Sequence, residues 1–415
     1  MRIIHTADWH IGNNFYDHDR SAEHRDFLDF LLRAIHDHEA DALVIAGDVF
    51  DNPNPSAAAQ KLYYDFLGKA SEQNPGLQIV VTAGNHDSGM RLEAARTLLE
   101  GRKIYIRGFL HTEEGDSAML DDLLIPLHSR RNPDDEVICI AVPFLRSSDL
   151  PVEDSFSRSM GRFFSNIISE ARHRYGKDER MIMAAHFYAT GSEINAEEHS
   201  ERIIVGGEEN VDASQFASGL SYIALGHIHK AQRIGGNELI RYSGSALPMS
   251  FGERGYSHGI NIVDIAEDGS VTVTTESREL LRPLLTIPSR GATTVEGALE
   301  RIESLPAATE GDDNTRWPYV EVILSKRPDA AGIHRLKESF SSRAALLCVI
   351  RTAEDLSAAH DAVEVRTEEQ LRKLNPLELM RKIYSDANGG EKMPEALENK
   401  FNTAVRIASQ QNDND

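Results

Sequence analysis

Five short motifs hold the side chains of this sequence that could do chemistry together. They are Asp8-Trp9-His10, Gly47-Asp48-Val49-Phe50-Asp51, Gly84-Asn85-His86-Asp87, the single His186, and Gly226-His227-Ile228-His229. They offer three oxygen donors, Asp8, Asp48 and Asn85, and four nitrogen donors, His10, His186, His227 and His229. Mixed carboxylate, amide and imidazole ligands suit Mn, Fe or Zn, and the lack of cysteine among them disfavours a structural zinc site. Seven donors exceed what one tetrahedral ion needs. They fit two ions that share a carboxylate, about 3.5–4 Å apart, as in two-metal hydrolases. Alone, each motif is weak: Asp-x-His is commonly surface or cap chemistry, and Gly-Asp after a strand is commonly a turn. Their force lies in occurring together, each directly after a run that reads as a strand.

Those runs are residues 2–6, 42–46, 78–82, 181–185 and 222–225, short and apolar. Residues i and i+2 leaving a strand point to the same side, which pairs Asp8 with His10 and His227 with His229. In open α/β sheets, functional groups gather beyond the carboxyl ends of the strands. Glycine before Asp48, Asn85 and His227 lets the backbone turn sharply or approach closely. Residues 22–38, 56–72 (Ser56 a candidate N-cap) and 90–100 carry helical spacing. The βαβαβα alternation predicts a layered α/β domain with helices covering sheet strands. The middle of the chain is richer in strands, at 137–142, 231–234, 238–242, 259–264 and 270–275, with an amphipathic helix over 155–175. Gly-Gly-Asn between two of these strands predicts a hairpin. Pro283 and Pro288 mark a crossing into a small α/β unit, with helices 295–305 and 331–340 and strands 318–324 and 344–351. The predicted organisation is one domain over residues 1–282, a small domain over 283–352, a polar linker over 353–366, and two amphipathic helices within 367–409.

The 415 residues are 40% hydrophobic and 27% charged, apolar material enough for more than one core. No apolar run approaches the ~18 residues of a membrane span, and the first residues turn polar too soon for a secretory signal, so no membrane role is expected. Cys139 and Cys348 are far apart and exclude a disulfide framework; they fit a reducing cytosol. A net charge of −22 argues against a basic DNA-coating protein. It leaves room for a nucleic-acid enzyme, because bound cations are often the largest charges in a site. The cationic side chains are scattered, and Arg20, soon after the first motif, is the one candidate DNA contact. His5, inside a strand, reads as a core residue; His24, His36 and His38 read as solvent-facing on a helix; His128, His199 and His258 lack metal spacing.

The ordered motif set resembles the calcineurin-like metallophosphoesterase superfamily. Longer stretches narrow the resemblance: His5-Thr6-Ala7-Asp8-Trp9-His10-Ile11-Gly12, Ala46-Gly47-Asp48-Val49-Phe50-Asp51, Ala83-Gly84-Asn85-His86-Asp87-Ser88, Tyr222-Ile223-Ala224-Leu225-Gly226-His227-Ile228-His229 and Tyr242-Ser243-Gly244-Ser245. They are similar to a family of bacterial nuclease subunits related to the eukaryotic and archaeal double-strand-break repair nuclease. By motif the likeness runs over residues 1–264. The small domain and last helices match the family's capping domain and partner-binding segment by layout only.

The resemblance implies an α/β fold, a layered β-sandwich flanked by helices with a small α/β capping domain and C-terminal helices. It implies a two-metal DNA nuclease, exonuclease and endonuclease on double-strand ends, hairpins and single strands. Such an enzyme serves DNA repair, recombination and replication, in the cytoplasm and associated with the nucleoid. The implied metal is manganese. One ion would rest on Asp8, His10, Asp48 and His229, the other on Asp48, Asn85, His186 and His227, with Asp48 bridging. His86, beside a ligand, is expected to stabilise transition-state charge or protonate the leaving 3′ oxygen, and Asp51 to orient and charge-stabilise that imidazole. Asp87 either supports the metal ligands or caps a helix. The implied partners are DNA and a long coiled-coil ATPase of the ABC type, gripped by the C-terminal helices as helices in a groove. A second copy would pair through helices 56–72 and 90–100. The terminal helices could instead pack on their own domain. Shared fold and metals do not fix the substrate. A phosphatase or cyclic-nucleotide phosphodiesterase therefore stands as the alternative, and a non-catalytic DNA-end scaffold as a weaker one.

Overall fold

Ala42–Ala46, Ala-Leu-Val-Ile-Ala, is buried at every position. Leu43 and Ile45 face a helical layer, while Ala42 and Val44 face a second sheet. A strand covered on both sides must be apolar throughout, and that is the signature of parallel strands inside an α/β stack. The computed structural model describes residues 1–111, 116–150, 153–176, 180–193, 211–309, 311, 313–354 and a few positions between 377 and 401. Two six-stranded sheets are stacked in it. The first runs, in spatial order, Val271–Ser277, Gly259–Ile265, Arg2–Thr6, Ala42–Ala46, Gln78–Thr82 and Ile104–Arg107. Its last four strands are mutually parallel. The second runs Gln232–Ile234, Asn237–Tyr242, Tyr222–Gly226, Met181–His186, Glu136–Ala141 and Leu124–His128, with its four middle strands parallel. Ile3, Val80, Cys139, Ala184 and Tyr222 contribute to the core between the sheets.

Helices Ser21–Asp37 and Ala57–Gln73 cover the outer face of the first sheet, and Phe156–Tyr175 that of the second. Ser56 and Ser155 cap the latter two, accepting from the N–H of Ala59 at 3.2 Å and of Arg158 at 3.4 Å. This is the layered α/β class expected. Among the described residues, no helix is long and apolar enough to cross a membrane.

Five strands among the described residues lie beyond those expected, the short pair Asn14–Phe15 and His18–Asp19 together with Ile104–Arg107, Leu124–His128 and Leu284–Ile287. The helix expected over 90–100 is broken into Gly89–Leu92, a 3₁₀ turn at Glu93–Ala95, and Arg96–Glu100. Tertiary ties override the helical period there. Glu93 accepts the N–H of Gly108 at 2.6 Å, Arg96 donates to Asp122 at 2.9 Å, and a Cβ on Gly89 would lie 2.1 Å from the Gly108 carbonyl oxygen. His24 corrects a second expectation. It is buried rather than solvent-facing, because it shares the helix face of Phe27, Leu28 and Leu31.

Leu284–Thr352 form a smaller layer around three parallel strands, Leu284–Ile287, Tyr319–Leu324 and Leu346–Thr352, backed by helices Val295–Glu303 and Ala330–Phe340. Ile287, Ile302, Val322, Leu336 and Phe340 give it a core of its own. It meets the sandwich through Tyr319, whose ring lies 4.7 Å from that of Phe15 and whose hydroxyl donates to Glu23 Oε2 at 2.6 Å. Arg20 completes this junction: it is 1% exposed, pairs with Glu23 at 2.9 Å and donates to the Pro248 carbonyl at 2.7 Å. A guanidinium so buried and so fully paired cannot reach DNA, which overturns the reading of Arg20 as a DNA contact. The expected linker 353–366 and helical segment 367–409 lie almost entirely outside the described residues, as does His199.

Candidate metal centre

The donor-bearing strands of both sheets end at the same edge of the sandwich, and backbone hydrogen bonds stitch their exits together. The N–H of Asp8 donates to Gly47 O at 3.1 Å, and those of Trp9 and His10 to Asp48 O at 2.9 and 3.0 Å. From the other sheet, the N–H of His227 donates to the Asp8 carboxylate at 2.9 Å. Asp87 accepts from Gly84 and Phe50 at 2.9 Å and from Val49 at 3.1 Å, tying the third motif to the second. Of its two expected roles, it supports the loops of the site.

Asp8, His10, Asp48 and His227 all adopt positive φ, between 47° and 105°. Such conformations are costly for residues with a Cβ and persist where the surroundings over-determine them. Gly47, at φ 88°, has a further reason to be glycine, since a Cβ there would fall 2.1 Å from Nδ1 of His186. A Cβ on Gly84 would fall 2.1 Å from Oδ1 of Asp48.

The seven expected donors converge from these loops. Nε2 of His10 and Nε2 of His229 face each other at 3.2 Å, and Asp8 shares their cluster. Oδ1 of Asn85 lies 2.9 Å from Nε2 of His186 and 3.0 Å from Nδ1 of His227. Between the two groups stands Asp48, its Oδ2 3.7 Å from His10 Nε2 and 3.3 Å from His186 Nε2. The same carboxylate receives the N–H of His86 on Oδ1 at 2.8 Å.

Burial and mutual charge set the protonation states. Burial depresses His227 to about 3 and pushes His10 well below the ordinary imidazole range, so both are neutral and hold lone pairs at pH 7. Burial would raise Asp48, but the facing imidazoles of His186 and His10 hold it ionised, well below the usual carboxylate range. Burial raises Asp8 to about 6. Burial lowers His186, yet the Asp48 charge outweighs it and carries the imidazole up to about 9. Buried lone pairs crowded onto one another, with two carboxylates, are what a divalent cation would relieve. The donor set is of the kind Mn, Fe or Zn takes. The residues fit two ions: Asp8, His10, His229 and Asp48 could hold one, and Asp48, Asn85, His186 and His227 the other.

His86 sits at this edge as well, its ring 4.8 Å from that of His10, and it forms a further cluster of possible donors with His10 and Asp48. Its Nδ1 lies 2.8 Å from Asp51, but from the backbone carbonyl. The Asp51 carboxylate instead accepts from Asn13 Nδ2 at 2.8 Å and stands 3.8 Å from Nδ1 of His10. The expected orientation of His86 by Asp51 therefore runs through the main chain: the turn after Asp48 presents the carbonyl to His86 and directs the side chain toward Asn13.

Two residues at the site carried no signal in the motif pattern. The ring of Phe144 packs edge-on to His186 at 6.2 Å. Buried Glu253 lies 3.1 Å from Nδ1 of His229. Neither stands at a strand end or in a ligand spacing, so only the fold brings them in. His5 is held inside the sandwich, Nδ1 2.9 Å from the Tyr222 hydroxyl and Nε2 3.2 Å from Leu225 O.

The calcineurin-like phosphoesterase family profile matches residues 1–231. The chain is 36% identical over 314 residues to the SbcD subunit of the SbcCD nuclease of Rhodobacter capsulatus, covering 74% of this chain and 76% of that protein. To the protein of the same name in Bacillus subtilis it is 32% identical over 349 residues, covering 82% and 83%. To the one in Escherichia coli it is 35% identical over 274 residues, covering 63% and 64%.

Proposed function

The chain belongs to the calcineurin-like phosphoesterases, in the family of SbcD subunits of SbcCD nucleases, and from this premise we propose that its donor cluster holds two divalent ions and hydrolyses phosphodiester bonds in DNA. The observation that carries the reading is the meeting of Asp8, His10, Asp48, Asn85, His186, His227 and His229 at one edge of the sandwich, with Asp48 between the two groups. Its N/O donors are compatible with manganese, the metal we assign.

The ions supply charge against an anionic diester and activate water for attack. The protein's part is positioning. Neutral His10 and His227 present lone pairs without competing protons. Asp48, kept ionised, shares its carboxylate between the two groups. Backbone hydrogen bonds between the loops hold these atoms in place, which limits the reorganisation the reaction needs. His86 donates its Nδ1–H to the Asp51 carbonyl, so it is as the imidazolium that it carries a second, exchangeable proton, on Nε2, and it returns to the neutral Nδ1–H form once that proton is given. From Nε2 it serves the leaving 3′ oxygen as acid or hydrogen-bond donor.

The substrates assigned are double-strand ends and hairpins, cut exonucleolytically and endonucleolytically, and single strands, in repair, recombination and replication at the nucleoid in the cytoplasm. The partner assigned is an SbcC-like coiled-coil ATPase of the ABC type, engaged by residues 367–409. A homodimer is assigned to the surface around Gly89–Leu92 and Arg96–Glu100, together with Ala57–Gln73. In support, Met90 and Leu98 are 76% and 80% exposed, large apolar side chains on neighbouring short helices.

The test is manganese-dependent cleavage of a labelled DNA hairpin and a linear duplex. The chain is assayed alone and with a co-expressed coiled-coil ATPase, with Asp48→Ala as control and bis-p-nitrophenyl phosphate as a small diester. Cleavage that needs manganese, disappears in Asp48→Ala and rises with partner and ATP is the expected result. Turnover of the small diester with no cleavage of either DNA, even with the partner, overturns the nuclease assignment in favour of a small-molecule phosphodiesterase.

A further inference from the structure

His229 faces two ways. Its Nε2 stands 3.2 Å from Nε2 of His10, inside the donor cluster. Its Nδ1 lies 3.1 Å from Oε1 of Glu253. Glu253 is 3% exposed and closes the one-turn 3₁₀ helix Phe251–Glu253. Its other oxygen accepts the backbone N–H of Met249 at 2.8 Å, so the carboxylate is clamped at both ends. The turn that carries it is anchored from outside. Phe251 packs on Phe15 at 5.3 Å, and Arg20 holds the Pro248 carbonyl at 2.7 Å. His186, in the other group of donors, has no such partner at its outer nitrogen: Nδ1 lies 2.9 Å from the backbone carbonyl of Ala46.

We propose that Glu253 is a positioning residue for the metal centre, locking His229 as the Nδ1–H tautomer with its Nε2 lone pair toward Asp8 and His10, and thereby setting the affinity of that half of the site apart from the other. A neutral imidazole has one N–H and one lone pair. An ionised carboxylate can only accept, so Glu253 demands the proton on Nδ1 and leaves Nε2 bare. Carboxylate backing also makes an imidazole a more basic donor than carbonyl backing does, and removing such a support typically lowers metal affinity about 10–100-fold. The two donor groups would then differ in strength by construction: Asp8, His10 and His229 with a carboxylate behind the last imidazole, and Asn85, His186 and His227 with a carbonyl behind His186.

This inference rests on the two-ion reading, and the experiment separates failure of one from failure of the other. The metal-free full-length protein is titrated with Mn²⁺ by calorimetry, and the His229 tautomer is read from ¹⁵N shifts of the imidazole nitrogens in the metal-free protein. Wild type, Glu253→Ala, Glu253→Gln and Asp48→Ala are compared. Two binding steps in the wild type, one of them weakened about 10–100-fold in Glu253→Ala while the other holds within about twofold, is the expected result. His229 should pass from a single Nδ1–H form to a tautomer mixture in the same variant. Glu253→Gln keeps an acceptor for Nδ1–H but loses the charge, so it should keep the tautomer and lose only part of the affinity. If Glu253→Ala fails to fold, Glu253→Gln decides by its affinity split. Equal weakening of both steps, or unchanged affinity with an unchanged tautomer, overturns the role of Glu253. Undiminished Mn²⁺ binding in Asp48→Ala overturns the two-ion reading itself.

Discussion

At the scale of single residues, the centre separates groups that would hold metal from a group that would act on substrate. Asp48 stands between the two sets of donors and also accepts the His86 N–H on Oδ1 at 2.8 Å. His86 is held by a backbone carbonyl and touches neither set through a hydrogen bond of its ring. Asp48→Ala is therefore expected to abolish both Mn²⁺ binding, followed by calorimetry, and DNA cleavage. His86→Ala should keep Mn²⁺ affinity near wild type and lower turnover by about 10²–10⁴-fold, the range for loss of a general acid. Equal loss of metal in the two variants would show that His86 is a ligand.

Two elements carry consequences for stability. The first is the strand Arg2–Thr6, which buries His5 between the sheets. Neutral His5 accepts from the Tyr222 hydroxyl on Nδ1 and donates from Nε2 to Leu225 O. Burial lowers its pKa to about 3 from the ordinary 6.5. Above pH 6.5, neither folded nor unfolded chain charges this group, and its contribution is constant. Below 6.5 the unfolded chain takes up a proton that the folded one refuses until about pH 3, so stability falls through that window, by up to about 5 kcal/mol. Unfolding midpoints measured by circular dichroism should drop between pH 6.5 and 4, and His5→Gln should flatten that drop.

The second element is Tyr319–Leu324, the middle strand of the smaller sheet. Its first residue donates a hydroxyl to the buried Glu23 carboxylate at 2.6 Å. Tyr319→Phe keeps the ring against Phe15 and removes a hydrogen bond to a charged group. The expected loss is about 1.5–3 kcal/mol, seen as a lower urea midpoint with an unchanged slope.

For the whole molecule, a charge of −22 disfavours general electrostatic attraction to DNA, so the proposed cations and partner would have to supply much of the affinity. The exposed apolar pair Met90 and Leu98 lies on the surface proposed for a dimer. Met90→Glu with Leu98→Glu should convert a dimer to a monomer by light scattering, with Mn²⁺ affinity unchanged. A wild-type monomer across the micromolar range would remove the proposed dimer surface.

The chemistry of this protein was legible in one dimension because strand ends are local features. A short apolar run followed by a donor states both where a side chain leaves a sheet and which ligand it brings; five such exits, three of them with glycine before the donor, hold all seven donors. The helix-covered α/β layering followed from the same periodicity, since strands such as Ala42–Ala46, buried on both faces, must be apolar throughout, while the stacking of two sheets was implied only by the family resemblance. What the sequence could not state is which distant segments share a surface. His24 lies on the face of its helix that packs inward, and Arg20 is consumed by Glu23 and Pro248 rather than offered to DNA. Asp51 reaches His86 through its carbonyl because of the path of one turn. Glu253 meets His229 from 24 residues away. Such contacts depend on tertiary packing, where a few ångströms of backbone placement decide which polar atoms satisfy one another, and no residue type or spacing encodes that distance.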